Sequence, residues 1–296
     1  CVANGKIIKQ NKFKNIWIQP ASGDAGGALG AALLVWYKKL KNKRLPLKTD
    51  QMQGSFLGPE FSKKNIERSL NKLGAKFHFM NDELLINNTA KYLKDGKAIG
   101  WFQGRMEFGP RSLGNRSIIA DARNENMQKN LNLKIKYRES FRPFAPSVIR
   151  EDLKEWFELD EDSPYMLLVS KVNENIINKT KMDSNLFGID KLNLNRSKIP
   201  AVTHVDYSAR IQTVHKETNL KFYKLLKRFK DKTGCPILVN TSFNVRGEPI
   251  VNSIENSYQC FMGTNLDILV CENFVLYKDE QNKALLKNYK DKFKKD

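Results

Sequence analysis

The chain has 296 residues, enough for one or two domains, and its 41% hydrophobic content is ordinary for a globular protein. No apolar run approaches the roughly 18 residues of a membrane helix, and no basic-then-apolar secretory signal opens the chain. A net charge of +19, from 51 Lys+Arg against 32 Asp+Glu, admits a polyanionic partner, but much of the excess is lysine dispersed along solvated helical stretches, so nucleic acid is not expected.

Taken in order, residues 1–19 are expected to hold a short apolar strand at Ile16-Trp17-Ile18. A glycine-rich turn and a helix follow from Gln19 to about Leu40. Bare N–H groups at such a helix start suit a phosphate, and Asp24 suits a metal or a ribose hydroxyl. The other reading makes Asp24 a plain N-cap and gives Gly27 and Gly30 to close helix packing. The turn is neither a Walker A loop nor a G-x-G-x-x-G fingerprint. Residues 41–54 read as a polar linker. Ser62 is expected to cap a helix with Ile66, Leu70 and Leu73 on one face, and Asp82 starts another that ends near Gly96. An upstream part is expected before Cys1, because the opening residues already read as the interior of a motif.

Ala98–Phe102 reads as a buried strand and Ile118-Ile119-Ala120 as a second. Between them lies Gly104–Ser117, with Arg105, Arg111 and Arg116 spaced by glycines and Pro110. Planar guanidiniums and close-approaching backbone are what a loop gripping phosphate or carboxylate oxygens should contain. A solvated basic loop is the other reading. A helix over 124–135 delivers a second cationic run, Lys136–Pro146, which its prolines should hold extended.

Residues 151–160 suggest a short helix and Met166–Val169 a strand. Residues 172–199, without periodicity, read as a long mobile surface loop. His204–Val214 joins a charged cluster to a β-type run, and a helix follows over 216–230. Pro236–Val239 is a buried strand ending in Asn240–Asn244 and Arg246–Pro249. Short polar groups just past a strand suit a ligand, or form Asx and Ser/Thr turns. A helix from Ser253, a strand from Ile268 to Tyr277 and a fraying basic tail close the chain. The four cysteines show no C-x-x-C spacing, and with three histidines no Cys/His metal cluster is visible; buried free thiols in a reducing cytoplasm are expected.

The four pieces GRMEFGPRSLGNRS, KYRESFRPFAP, HVDYSARIQTV and NTSFNVRGEPI, in this order, resemble the carbamoyltransferase family, which includes nodulation protein U and enzymes that carbamoylate cephalosporin and aminoglycoside antibiotics. The resemblance implies a mixed α/β fold in three parts. Residues 1–45 would be the last strand and helix of a sugar-kinase/actin-like ATPase domain. Residues 46–280 would be a YrdC-like twisted mixed sheet with flanking helices, and 281–296 a basic tail. It implies that the YrdC-like part makes carbamoyl adenylate from carbamoyl phosphate and ATP with Mg2+. The upstream domain would pass the carbamoyl group to a hydroxyl of a sugar or natural product.

By the same resemblance, Arg111, Lys136, Arg142 and Arg210 offset the substrates' negative charge. Ser242 and Asn244 form an S-x-N pair on the nucleotide phosphates, and Arg105 and Arg138 help. CVANGKI and QPASGDAGGALGAA look like nucleotide-binding segments, which brings in Asn4, Gly26 and Gly27. Asp24 matches the carboxylate that joins a histidine pair, absent from this chain, around iron or another divalent metal. A cytoplasmic protein is expected, and a homodimer is left open. Two alternatives stand beside this: a threonylcarbamoyl-adenylate synthase of tRNA modification, and a basic RNA binder, although no RRM, KH or helix-turn-helix signature is present.

Overall fold

A computed structural model describes residues 1–47, 49–178, 194–285, 289 and 293. Among them nine strands form one mixed sheet: β1 (His78–Phe79), β2 (Ile99–Phe102), β3 (Arg116–Asp121), β4 (Ala145–Ile149), β5 (Leu168–Lys171), β6 (Ser208–Val214), β7 (Ile237–Ser242), β8 (Ile268–Cys271) and β9 (Phe274–Tyr277). Their order across the sheet is β1-β9-β8-β2-β3-β7-β4-β6-β5. Every residue of β2, β3, β4 and β8 is buried, which is why these strands read as continuous apolar runs.

The helices are α1 (Val2–Lys9), α2 (Asp24–Leu34), α3 (Lys63–Lys72), α4 (Asp82–Lys94), α5 (Met127–Lys134), α6 (Leu153–Trp156), α7 (Leu220–Thr233) and α8 (Ile254–Gly263). Phe222, Leu225, Leu226 and Phe229 form the buried stripe of α7, which packs on α4. Caps set the helix starts. Ser62 accepts from the Asn65 N–H, Asn81 from Leu84 and Asn219 from Phe222, and Ser253 forms a capping box with Asn256. No helix among the described residues is long and apolar enough to cross a membrane.

Strand register decides where function can sit. Ser117 of β3 pairs with Ser242 of β7, and Ala145 of β4 pairs with Asn240. In the parallel β4–β6 pair Ser147 faces Gln212, so Arg210 lies level with Ala145. The starts of β3, β4 and β6 and the end of β7 therefore share one side of the sheet. Each carries or adjoins one of the polar runs singled out in the sequence.

Several expectations are corrected. Ile16–Ile18 is not a strand, since three apolar residues without a neighbouring strand close no ladder. The N-terminal element is instead α1, pressed so close to β5 that a Cβ on Gly5 would stand 2.1 Å from the Val169 carbonyl oxygen. Ile268–Tyr277 is a hairpin of two strands, turning at Glu272 with φ 49°. The 151–160 helix shrinks to the one turn of α6. Most of the expected loop over 172–199 lies outside the described residues, but its flanks are held: Ile176 and Ile199 are buried, and Ile177 bridges to Ser197. The tail is tied at Tyr289, which is buried against Gly263 and donates from its hydroxyl to Glu248. Cys235, Cys260 and Cys271 are buried free thiols, as expected.

Candidate functional site

A cavity of about 310 Å³ opens on the shared side of the sheet, lined by Lys136, Arg138, Arg142, Ser242, Asn244 and residues 245–249. Lys136 follows α5 and is only 3% exposed. Its ammonium donates to the Ser242 carbonyl, to Ser242 Oγ at 3.2 Å, and to the carbonyl and Oδ1 of Asn244 at 2.9 Å each. Asn244 in turn donates to the Glu248 carbonyl at 2.6 Å, and Glu248 accepts from the Val245 N–H at 2.9 Å. The polar turn after β7 is thus wound around one buried cation. The two sequence readings of this turn, Asx-type structure and cavity wall, describe the same atoms. Burial, and then the charge of Arg138, push Lys136 down to about 7.

The arginines extend this charge into a chain. Arg138 donates from Nε to Asn132 Oδ1 at 2.7 Å and lies 5.0 Å from the Phe144 ring centroid. Burial, then Arg142, with Arg210 also contributing, hold it down at about 10. Burial, and then Arg111, do the same to Arg210. Arg142 pairs with Glu139 at 3.0 Å, and Glu139 also pairs with Arg246 at 2.9 Å. The structure brings Lys136, Arg138 and Arg142 together with Ser242 and Asn244 on the cavity wall, whereas Arg210 and then Arg111 do not line it and are linked to Arg138 by charge repulsion alone. Among the described residues the side chains of Arg111 and Arg210 have no hydrogen bond and no ion pair, and Arg111 Nε is buried without a partner. Like charges crowded in a half-buried site destabilise the empty fold, and a bound polyanion would offset them.

The arginine loop behaves differently from its reading as a ligand grip. Its backbone N–H groups at Leu113, Asn115 and Arg116 already donate to Glu107 Oε1, at 2.6, 2.8 and 3.3 Å. An internal carboxylate fills the nest an outside anion would need. Arg116 is fully buried. It donates to the carbonyls of Gln103, Gly104, Asn115 and Pro59 and lies 3.6 Å over the Phe102 ring. Arg105 is exposed, donating to the Gly58 carbonyl at 3.1 Å and facing Glu60 at 3.6 Å. Of the three arginines only Arg111 joins the cluster. The Lys136–Pro146 strip is also not extended throughout: it turns at Ser140-Phe141, and Tyr137 sits at φ 49°.

Three contributors escaped sequence reasoning. Glu107 looked like one charge in a basic loop. Asn132 sat in an Asn-rich chain where nothing set it apart. Asn240 was legible only as turn chemistry. It is 1% exposed and donates to Gln212 Oε1 at 2.7 Å and the Ser112 carbonyl at 3.2 Å, while its own Oδ1 and Ser112 Oγ have no partner among the described residues.

The N-terminal predictions lie elsewhere, and none of them lines this cavity. Asn4 donates its amide to the Leu167 carbonyl at 3.0 Å. Gly26 lies in the first turn of α2, so close to the preceding chain that a Cβ there would meet the Ala21 carbonyl oxygen at 2.4 Å. Gly27 and Gly30 face open space, so the helix packing considered for them is not made here. Asp24 is the first residue of α2, and the N-cap position falls to Gly23. Among the described residues no group of three His, Cys, Asp or Glu side chains could hold a metal, so these residues alone do not fit an iron site.

The profile described as Carbamoyltransferase C-terminus matches residues 90–278, and that described as Carbamoyltransferase N-terminus matches residues 1–33. The chain belongs to the carbamoyltransferase family. It is 58% identical over 284 residues to uncharacterized protein sll1178 of Synechocystis sp., covering 95% of this chain and 46% of that protein. It is 38% identical over 282 residues to nodulation protein NolO of Bradyrhizobium diazoefficiens, covering 94% and 47%. With the 3'-hydroxymethylcephem-O-carbamoyltransferase of Streptomyces clavuligerus it shares 30% identity over 267 residues, covering 86% and 42%. The chain thus spans about half the length of the curated relatives it matches. A looser likeness to full-length HypF, solved with phosphate and nucleotide bound, has a TM-score of 0.41 at 17% identity over 69% of this chain and 23% of that one, and carries no weight.

Proposed function

We propose that the cavity beside Lys136 seats carbamoyl phosphate and ATP, and that this part of the protein forms carbamoyl adenylate. What supports the reading is the cluster of Lys136, Arg138 and Arg142 on the cavity wall, and behind it the half-buried Arg210 and Arg111, which do not line the cavity but repel along the same chain of charge and whose side chains have no hydrogen bond or ion pair among the described residues. Two half-buried guanidiniums side by side need an anion, and a phosphate offers each a bidentate partner.

The chemistry balances as follows. Water splits carbamoyl phosphate into carbamate and phosphate. A carbamate oxygen then attacks the α-phosphorus of ATP, and pyrophosphate leaves. Both substrates are anionic, so bringing them together is mainly a problem of charge and position. Arg111 and Arg210 would hold the phosphate end, Arg138 and Arg142 the nucleotide's phosphates, and Lys136 the turn that bears Ser242 and Asn244. No covalent nucleophile on the protein is required. Magnesium would enter on the ATP phosphates. Transfer of the carbamoyl group to a hydroxyl, as the name of the cephem relative describes, would fall to residues outside this cavity.

The test is carbamoyl-phosphate-dependent release of pyrophosphate from ATP by this chain. Release is expected, and it should be lost in Lys136→Ala and Arg142→Ala. Undiminished release by both variants would refute these roles. Release that needs threonine plus bicarbonate instead would point to threonylcarbamoyl-adenylate synthesis.

A further inference from the structure

We propose that Asn132 is a positioning residue for the phosphate-binding cations, acting through Arg138 and Arg142; the proposal rests on the cavity being a phosphate site. Asn132 lies in α5 and has no exposed surface. Burying an amide is unfavourable unless each of its polar atoms is used. Here each is used, and on one target. Oδ1 accepts from Arg138 Nε at 2.7 Å. Nδ2 donates to the Ser140 carbonyl at 3.0 Å and the Arg142 carbonyl at 2.8 Å. The backbone carbonyl of Asn132 accepts from the Arg138 N–H at 3.0 Å. A leucine would serve α5 and the core equally well, as Met127 and Leu131 do nearby. The amide therefore serves the segment 138–142, not the helix that carries it.

The need for such a tie is visible in the backbone. Tyr137, directly before Arg138, adopts φ 49°, a left-handed conformation that persists only where its surroundings impose it. Tyr137 is tied through its hydroxyl to the Gly263 carbonyl at 2.9 Å, and the segment after it is tied by Asn132. With Nε of Arg138 occupied by Asn132, the planar end of the guanidinium remains for a ligand, and its plane is set. Arg142 has its backbone fixed in the same way while its side chain stays on the cavity wall. Gln128 adds a second donor to the Arg142 carbonyl at 3.2 Å from the exposed side, but among the described residues only Asn132 joins Arg138 to Arg142 and so sets the spacing of the two cations.

The experiment is a calorimetric titration of inorganic pyrophosphate into the full chain. Wild type is compared with Asn132→Leu, with Asn132→Asp, which keeps the acceptor for Arg138 and loses both donors, and with each change in an Arg138→Ala/Arg142→Ala background. Positioning predicts about tenfold weaker binding for either Asn132 variant, as is usual when a group behind the ligand contacts is removed. It also predicts little further loss once both arginines are gone, because the two effects share one route. The thermal midpoint of each variant is recorded without ligand. If Asn132→Leu does not fold, Asn132→Asp carries the test. Wild-type affinity in a folded variant, or an undiminished loss in the background lacking both arginines, overturns the proposal. If wild type itself does not bind pyrophosphate, the phosphate-site reading fails first, and this inference falls with it.

Discussion

The arginine loop and the cationic strip look alike in sequence, each basic and punctuated by proline, yet they are opposites in the fold. In the loop, charge is met internally: Glu107 fills the backbone nest, and the two terminal nitrogens of Arg116 donate to carbonyls while its guanidinium lies over a ring. In the strip, Lys136, Arg138 and Arg142 crowd one another, and beside them the side chains of Arg210 in β6 and of Arg111, the exception within the loop, have no partner among the described residues. The contrast separates a part whose charges are met by its own backbone and Glu107 from a part in which like charges crowd. Composition cannot draw that line, because it depends on where the few carboxylates sit.

Removing the internal anion should break the comparison most visibly. Glu107→Ala leaves three buried N–H groups and the Arg116 charge uncompensated, and should cost about 3 kcal/mol of stability by denaturant melt. Arg210→Met should act in the opposite sense. It relieves a half-buried unpaired charge beside Arg111, so the ligand-free chain should gain about 1 kcal/mol in the same melt while losing anion affinity.

A smaller effect follows from Lys136. With its ammonium at about 7 in the empty site, an anion must recruit a proton when it binds above that pH. Sulfate, whose own charge is constant there, should bind about fivefold more weakly at pH 8 than at pH 7, and calorimetry in buffers of different ionisation enthalpy should show proton uptake. Affinity that is flat over this interval would mean that Lys136 keeps one charge state. The smallest effect belongs to Arg105: exposed and paired only with Glu60 and a carbonyl, its replacement by alanine should shift stability by less than about 0.5 kcal/mol and leave anion affinity unchanged.

Much of the fold was legible because strands buried on both faces leave unbroken apolar runs, as at Ile99–Phe102 and Ile237–Val239, and because Ser62 and Ser253 cap helices through short-range hydrogen bonds. The N-terminal helix α1 was not legible, and Ile16–Ile18 misled, because a strand exists only through a partner far away in sequence. The cations Arg111, Lys136, Arg142 and Arg210 are singled out by the resemblance of their motifs to the carbamoyltransferase family, since charge and strand position alone mark Arg105 and Arg116 equally. Which arginine of the loop turned toward them could not be read, because the answer lies in Glu107 and its hydrogen bonds. Asn132 stayed hidden for a related reason: its role is defined by three contacts made across a turn.

The most direct test of the central claim, that distant cations converge on one phosphate-binding cavity, is a pyrophosphate titration comparing Arg111→Ala, Arg142→Ala and Arg210→Met with Arg105→Ala. Convergence predicts a single site, weakened at least about tenfold by each of the first three changes and untouched by the fourth. Equal affinity in all four variants, or no binding by the unmodified chain, would contradict it.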